Sequence, residues 1–70
     1  MPVLKTRIHE LRKERGMQQA ELAALVGVRR ETIGNLENGK YNPSLKLAMD
    51  IAKVFGKTVE EIFRFEEDND

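Results

Sequence analysis

Apolar residues recur at spacings of three and four along most of this chain, which is the periodicity of helices that bury one face. From about Lys5 the pattern becomes helical, and Leu4, Ile8 and Leu11 fall on one side of it. Gly16 follows in the position where a left-handed residue commonly ends a helix. The pattern therefore predicts a first helix from about residue 5 to Gly16.

Two short helices joined by a tight turn are predicted next. Leu22 and Val26 are four residues apart on the first of them, and Ile33 and Leu36 are three apart on the second. Gly27 lies between the two helices, where glycine tolerates a positive φ. The other residues of the second helix are polar and must face outward: Arg29, Arg30, Glu31, Thr32 and Asn35.

The last third of the chain predicts two more helices, each with a start signal. Ser44 is a good N-cap for an apolar-periodic run over residues 45–55. Thr58 and Glu61 have the spacing of a capping box, which predicts a short fifth helix from Val59 to about Phe63. The fold class is thus predicted as all-α, with five helices.

Seventy residues allow one domain, which we place at residues 1–65. The stretch from residue 66 to 70 is acidic and polar, and we expect it to be a disordered tail. The first four residues suggest an extended lead-in, and Arg64-Phe65-Glu66 near the other end alternates polar and apolar residues. The sequence leaves open whether these ends pair as a short two-stranded sheet.

Charge is distributed unevenly although the net charge is zero. Residues 1–40 hold eight Lys or Arg and five Asp or Glu, whereas residues 41–70 hold four basic and seven acidic residues. The positive half also carries the polar helix, which suggests a molecule with its positive side toward phosphate. The plainer interpretation is a solvated surface with a solubilising tail.

Several function classes find no support in the composition. Cysteine is absent, no apolar run approaches the roughly 18 residues of a membrane span, and no leader is visible, so we expect a cytoplasmic protein. His9 is the single histidine, and we interpret it as a surface residue. Without a nucleophile–base pair, metal spacing or phosphate loop, we expect neither an enzyme nor a cofactor, metal or small-molecule ligand.

Residues 19–38 resemble the helix-turn-helix of the Cro/cI-type (XRE-family) transcriptional regulators. The matching positions are Gln19, Ala23, Gly27, Ile33 and Leu36, and the similarity continues through Glu37-Asn38-Gly39-Lys40 and Tyr41-Asn42-Pro43-Ser44-Leu45. The resemblance covers about residues 5–65. It implies a compact five-helix, lambda-repressor-like domain that binds double-stranded DNA.

The resemblance also implies a set of phosphate contacts. Arg12 matches a position that pairs with the glutamate after the reading helix, here Glu37, and touches phosphate; the alternative is an ordinary exposed arginine. Gln18 and Arg29 replace the family's usual capping residues, and phosphate contacts would explain both. The complete predicted set is Arg12, Gln18, Gln19, Arg29, Asn38 and Lys40.

Base reading is assigned to a recognition helix at about residues 29–37, lying in the major groove. Arg30, Glu31 and Asn35 match the family's reading positions and suit guanine, cytosine and adenine edges, respectively. Thr32 would offer its methyl group to thymine or its hydroxyl to phosphate. Glu31 has an alternative role, in which it orients Arg30 or rejects wrong sequences.

The chain end carries more apolar surface than a single last turn needs, which suggests a homodimer. The predicted interface residues are Asn42, Pro43, Val59, Ile62 and Phe63, unless they only complete the monomer core. A twofold pair would hold two reading helices about one DNA turn apart, on a palindromic operator. We therefore expect a transcriptional repressor; the alternative is an antitoxin or protein-interaction adaptor with the same fold.

Overall fold

Five helices and a two-stranded antiparallel sheet make up the fold, which a computed structural model describes for residues 2–67. Along the chain these elements are β1 (Pro2–Thr6), α1 (Ile8–Glu14), α2 (Gln19–Val26), α3 (Arg30–Glu37), α4 (Leu45–Phe55), α5 (Val59–Ile62) and β2 (Phe63–Glu67). The predicted five-helix fold class is confirmed, and the two chain ends do pair. Within the described residues, no helix is long and apolar enough to cross a membrane.

The sheet corrects two predictions about the chain ends. β1 and β2 pair with Leu4 opposite Phe65 and Lys5 opposite Arg64. The first helix therefore begins at Ile8 rather than about Lys5, because strand pairing satisfies the backbone of this segment. The predicted disordered tail is wrong for residues 66 and 67, which belong to β2, and residues 68–70 lie outside the described part of the chain.

One hydrophobic core joins all five helices. Its largest fully buried side chains are Ile8, Leu22, Ile33, Leu36, Ile51 and Ile62. Ile62 is 1% exposed, which corrects its assignment to a dimer interface. The single turn of α5 points this side chain inward, so Ile62 completes the monomer core, as the alternative interpretation held.

Helix ends are held by the predicted caps and by one contact that the sequence did not suggest. The Ser44 hydroxyl accepts from the Leu47 amide at 3.1 Å, and Thr58 and Glu61 form their capping box with bonds of 2.8 and 3.1 Å. Arg15 donates to the carbonyl oxygens of residues 54 and 55 at 2.7 and 3.1 Å, and so caps the carboxyl end of α4. This last contact ties α1 to α4 next to the core.

Candidate nucleic-acid interface

A tight turn sets the relative orientation of α2 and α3. Gly27 ends α2 in the left-handed conformation, with φ +75°, as its place in the sequence predicts. The carbonyl of Ala23 accepts from the backbone amide of Gly27 and, at 3.0 Å, from that of Val28. The Ala23 side chain is 3% exposed, so it lies between the helices where a larger side chain would separate them.

α3 buries one face and exposes the other. Ile33 and Leu36 are fully buried, whereas Arg30, Glu31 and Asn35 are exposed. Thr32 is half-buried, and Arg29 is exposed at the N-cap without a side-chain cap bond. The structure thus places the predicted base-reading residues on one helix, where three of the four are exposed, and their contacts with DNA bases stay predictions.

A nearly buried ion pair lies below this helix. Arg12 donates to the Glu37 carboxylate from Nε at 2.6 Å and from Nη2 at 3.1 Å, which confirms the predicted pair. The two side chains are 5% and 7% exposed. Nη1 of Arg12 also donates to the Met17 carbonyl at 2.8 Å. Arg12 therefore links α1, the segment before α2, and the end of α3, while its predicted phosphate contact stays a prediction.

Gln19 connects this ion pair to the exposed surface of α3. Its Nε2 donates to Glu37 Oε1 at 3.1 Å, and its Oε1 accepts from Arg30 Nη1 at 3.1 Å. The sequence suggested only a phosphate contact for Gln19, and that contact stays untested. The bridge was missed because its partners are 11 and 18 positions away, which no local pattern reveals.

The electrostatics of Glu37 reflect this bonding. Burial raises the pKa of its carboxyl, but the hydrogen bonds from Arg12 and Gln19 and the charge of Arg12 lower it by more. The resulting pKa lies below the ordinary value, so Glu37 stays ionised as the partner of Arg12. His9 is exposed as predicted, yet its Nδ1 lies 3.2 Å from Arg12 Nη2, a contact that the sequence did not suggest.

The remaining predicted phosphate residues lie around the same surface. Asn38 and Lys40 are exposed at the end of α3, and Gln18 is exposed at the start of α2. The Gln18 backbone amide donates to the Glu21 carboxylate at 2.9 Å, which helps to cap the start of α2. A shallow pocket brings six side chains together across α1, α2 and α3: Arg12, Lys13, Gln18, Gln19, Ala20 and Arg30.

Four of the five predicted dimer residues meet elsewhere on the molecule. Asn42, Pro43, Val59 and Phe63 line one groove, which we call the apolar groove. Its other lining residues are Leu4, Leu45, Ala48 and Phe65. Leu45 and Phe65 are 74% and 57% exposed, so two large apolar side chains of this groove are open to solvent.

An exposed polar helix braced by a partner helix through a glycine turn defines the class of helix-turn-helix DNA-binding proteins. The comparisons with known proteins agree with this class. The family model HTH_3, described as Helix-turn-helix, matches residues 8–62, and the chain belongs to this family.

Two curated relatives match this chain over nearly their whole length. An HTH-type transcriptional regulator of Archaeoglobus fulgidus is 57% identical over 65 residues, which are 93% of this chain and 93% of the relative. The HTH-type transcriptional regulator YgzD of Bacillus subtilis is 42% identical over 66 residues, which are 94% of this chain and 100% of the relative. The chain is accordingly a transcriptional regulator with a helix-turn-helix DNA-binding fold.

Solved structures give the same fold. The restriction-modification controller protein C.AhdI from Aeromonas hydrophila aligns with a TM-score of 0.71 and 34% identity, over 79% of this chain and 83% of that one. The hydroxypropylphosphonic acid epoxidase from S. wedmorenis aligns with a TM-score of 0.69 and 31% identity, over 77% of this chain. That alignment covers 29% of the epoxidase, so the similarity concerns a minor part of that protein.

Proposed function

We propose that this protein is a sequence-specific regulator that binds double-stranded DNA by inserting α3 into the major groove. The main observation behind this proposal is the exposed polar side of α3. Its Arg30 is hydrogen-bonded to Gln19, which is in turn hydrogen-bonded to the Glu37–Arg12 ion pair. A tethered guanidinium loses less conformational freedom when it binds. The tether therefore favours a defined base contact over a loose attraction to phosphate.

Specificity in this proposal comes from Arg30, Glu31 and Asn35. Arg30 suits the O6 and N7 atoms of guanine, Glu31 suits the cytosine amino group, and Asn35 suits adenine. Thr32 is half-buried and would contact a thymine methyl group or the nearby backbone. Phosphates would be held by side chains around α3, namely the exposed Gln18, Arg29, Asn38 and Lys40 and the half-buried Gln19, with Arg12 beneath them.

The sharpest test compares a base-reading residue with a phosphate-binding residue. Arg30→Ala should cost about 1–3 kcal/mol on the selected site and relax its sequence preference. Lys40→Ala should lower the affinity for all DNA sequences alike, and the slope of log affinity against log salt concentration should become shallower by about one. Both affinities are measured by titration on selected and scrambled duplexes, with Lys53→Ala on the exposed side of α4 as a control. If Arg30→Ala keeps the same preference for the selected over the scrambled duplex, the assignment of Arg30 as a base-reading residue is wrong.

The proposed active form is a homodimer that acts in the cytoplasm as a repressor on a palindromic operator. A domain of this length buries a limited share of its surface, and pairing would cover the apolar groove. Two copies of α3 would then meet half-sites about one helical turn apart, roughly 34 Å. Selection of bound genomic fragments followed by footprinting should recover inverted repeats with that spacing. No enzymatic activity is proposed, in keeping with the regulator names of the relatives.

A second candidate function is an antitoxin or adaptor that presents α3 to a protein. The zero net charge favours it, because a DNA-binding surface usually carries a positive excess. The two functions differ in their response to salt, since phosphate contacts make affinity fall steeply as salt rises. Weak or salt-insensitive binding to DNA would favour the adaptor.

A further inference from the structure

The two edges of the β1–β2 sheet differ in what covers them. Arg7 donates from its backbone amide to the Ile62 carbonyl at 2.9 Å, just beyond the paired strands. Hydrogen-bonded and non-bonded pairs alternate in an antiparallel ladder, so Lys5 bonds to Arg64 while Leu4 turns its backbone groups outward. The same alternation turns the amide and carbonyl of Phe65 toward the outer edge of β2.

The outer edge of β1 is covered by the loop after α3. A methyl group added to Gly39 would lie 2.6 Å from the Leu4 carbonyl oxygen, so the loop backbone packs directly on this strand. Pro2 at the start of β1 also lacks an amide proton for a further ladder. Within residues 2–67, β2 pairs only with β1, and its own outer edge is the one left for another strand.

The side chain next to that edge is apolar and exposed. Phe65 is 57% exposed and lies on the sheet face that forms the apolar groove, together with Leu4 and Phe63. Natural edge strands usually carry charges or bulges that prevent pairing. β2 does carry charges, at Arg64, Glu66 and Glu67, but it also presents an exposed aromatic side chain beside backbone groups that turn outward. This combination makes its outer edge suitable for pairing with a strand of complementary charge.

Charge determines which strand fits and in which register. On the opposite sheet face, Arg64 and Glu66 form an ion pair of 2.6 Å within the strand. If two copies of β2 run antiparallel with Phe65 opposite its own copy, each Arg64 lies opposite Glu66 of the other copy. Moving the twofold axis by one residue along β2 shifts the pairing register by two residues. It places Arg64 opposite Arg64, or Glu66 opposite Glu66, which is destabilising.

We infer that two copies of this protein pair through β2, with Phe65 on the twofold axis, to form a continuous sheet of four strands. The two Phe65 side chains would then cover part of both apolar grooves. The inference rests on the proposed homodimer and specifies its geometry. It leaves α3 outside the contact, because β1 lies between β2 and the loop that follows α3.

A mixing experiment tests this register. Arg64→Glu puts like charges opposite each other in its own dimer, and so does Glu66→Arg, so each variant alone should dimerise about tenfold or more weakly than the parent chain. Mixed in equal amounts, the two variants should form a heterodimer, because every cross-strand pair again has opposite charges. The ion pair within each strand stays broken in both variants, so its loss predicts no such recovery.

Dimerisation is measured by sedimentation equilibrium of the full chains, alone and mixed. A mixture of Lys53→Glu with Glu14→Arg carries the same net charges at exposed positions away from β2, and it should show no preference for the heterodimer. Recovery of the dimer in the first mixture only would support the inference. A dimeric parent chain whose two variants stay dimeric alone, or do not recover when mixed, would overturn the β2 geometry but leave the homodimer standing. A parent chain that is monomeric both free and on DNA would overturn the homodimer itself.

Discussion

Removing Arg12 should destabilise this domain far more than removing an ordinary helix arginine. Its side chain is 5% exposed and donates to Glu37 at 2.6 and 3.1 Å and to the Met17 carbonyl at 2.8 Å. In Arg12→Met, the Glu37 carboxylate would stay nearly buried, with Gln19 as its remaining donor. Leaving one partner of a buried pair uncompensated costs about 3–5 kcal/mol.

That loss is large for a chain of this size. At about 0.05–0.15 kcal/mol per residue, the free energy of unfolding of a 70-residue domain is roughly 3.5–10.5 kcal/mol. Arg12→Met should therefore lose more than about a quarter of the stability measured by urea unfolding. Lys13→Met, at the exposed neighbouring position of α1, should change it by less than about 0.5 kcal/mol.

The double variant Arg12→Met/Glu37→Leu separates a buried charge from lost packing. It removes both charges, and replacing a whole buried pair by apolar residues is often neutral for stability. The double variant should therefore be more stable than Arg12→Met alone. A cost below about 1 kcal/mol for Arg12→Met, as for a surface pair, would refute this reasoning. So would a double variant that is no better than the single one.

Three further predictions concern Glu37 and two glycines. Because the pKa of Glu37 is lowered in the folded protein, its ionised carboxylate should contribute fully to the free energy of unfolding above pH 4.5, the ordinary pKa. This contribution should be lost as the pH falls through the folded pKa. Glu37→Gln should therefore make the free energy of unfolding, measured with urea at several pH values, fall less steeply toward acid pH. Gly34→Ala should stabilise α3 by about 0.5–1 kcal/mol, since the added methyl group would lie 3.8 Å from the Gln19 side chain, an ordinary contact. A lower melting temperature would contradict this, whereas higher stability with weaker DNA binding would place the DNA backbone against Gly34. Gly39→Ala should lower the melting temperature, because φ is +68° and the methyl group would meet the Leu4 carbonyl at 2.6 Å; a neutral result would mean that the loop moves aside.

The sequence by itself determined the helices and the exposed polar side of α3. Ser44, Thr58 and Gly27 act through bonds within one turn of the chain, so their residue types predict where helices begin and end. The same local periodicity separates Ile33 and Leu36 from the exposed side of α3. Such features depend on neighbours three or four positions away, and the sequence shows those directly.

Tertiary structure alone decided how distant segments meet. Leu4 continued the helical spacing of Ile8, yet it forms a strand because the far end of the chain supplies its ladder partner. Ile62 is apolar, as an interface residue would be, but it lies in the core of the monomer. Its burial depends on how the single turn of α5 packs on the other helices, which the residue type alone does not show. The bridge from Arg30 through Gln19 likewise exists only after α2 and α3 cross. Interactions between positions far apart in sequence leave no periodic pattern in it, and they decided the sheet, the boundary of the core and the contacts that brace α3.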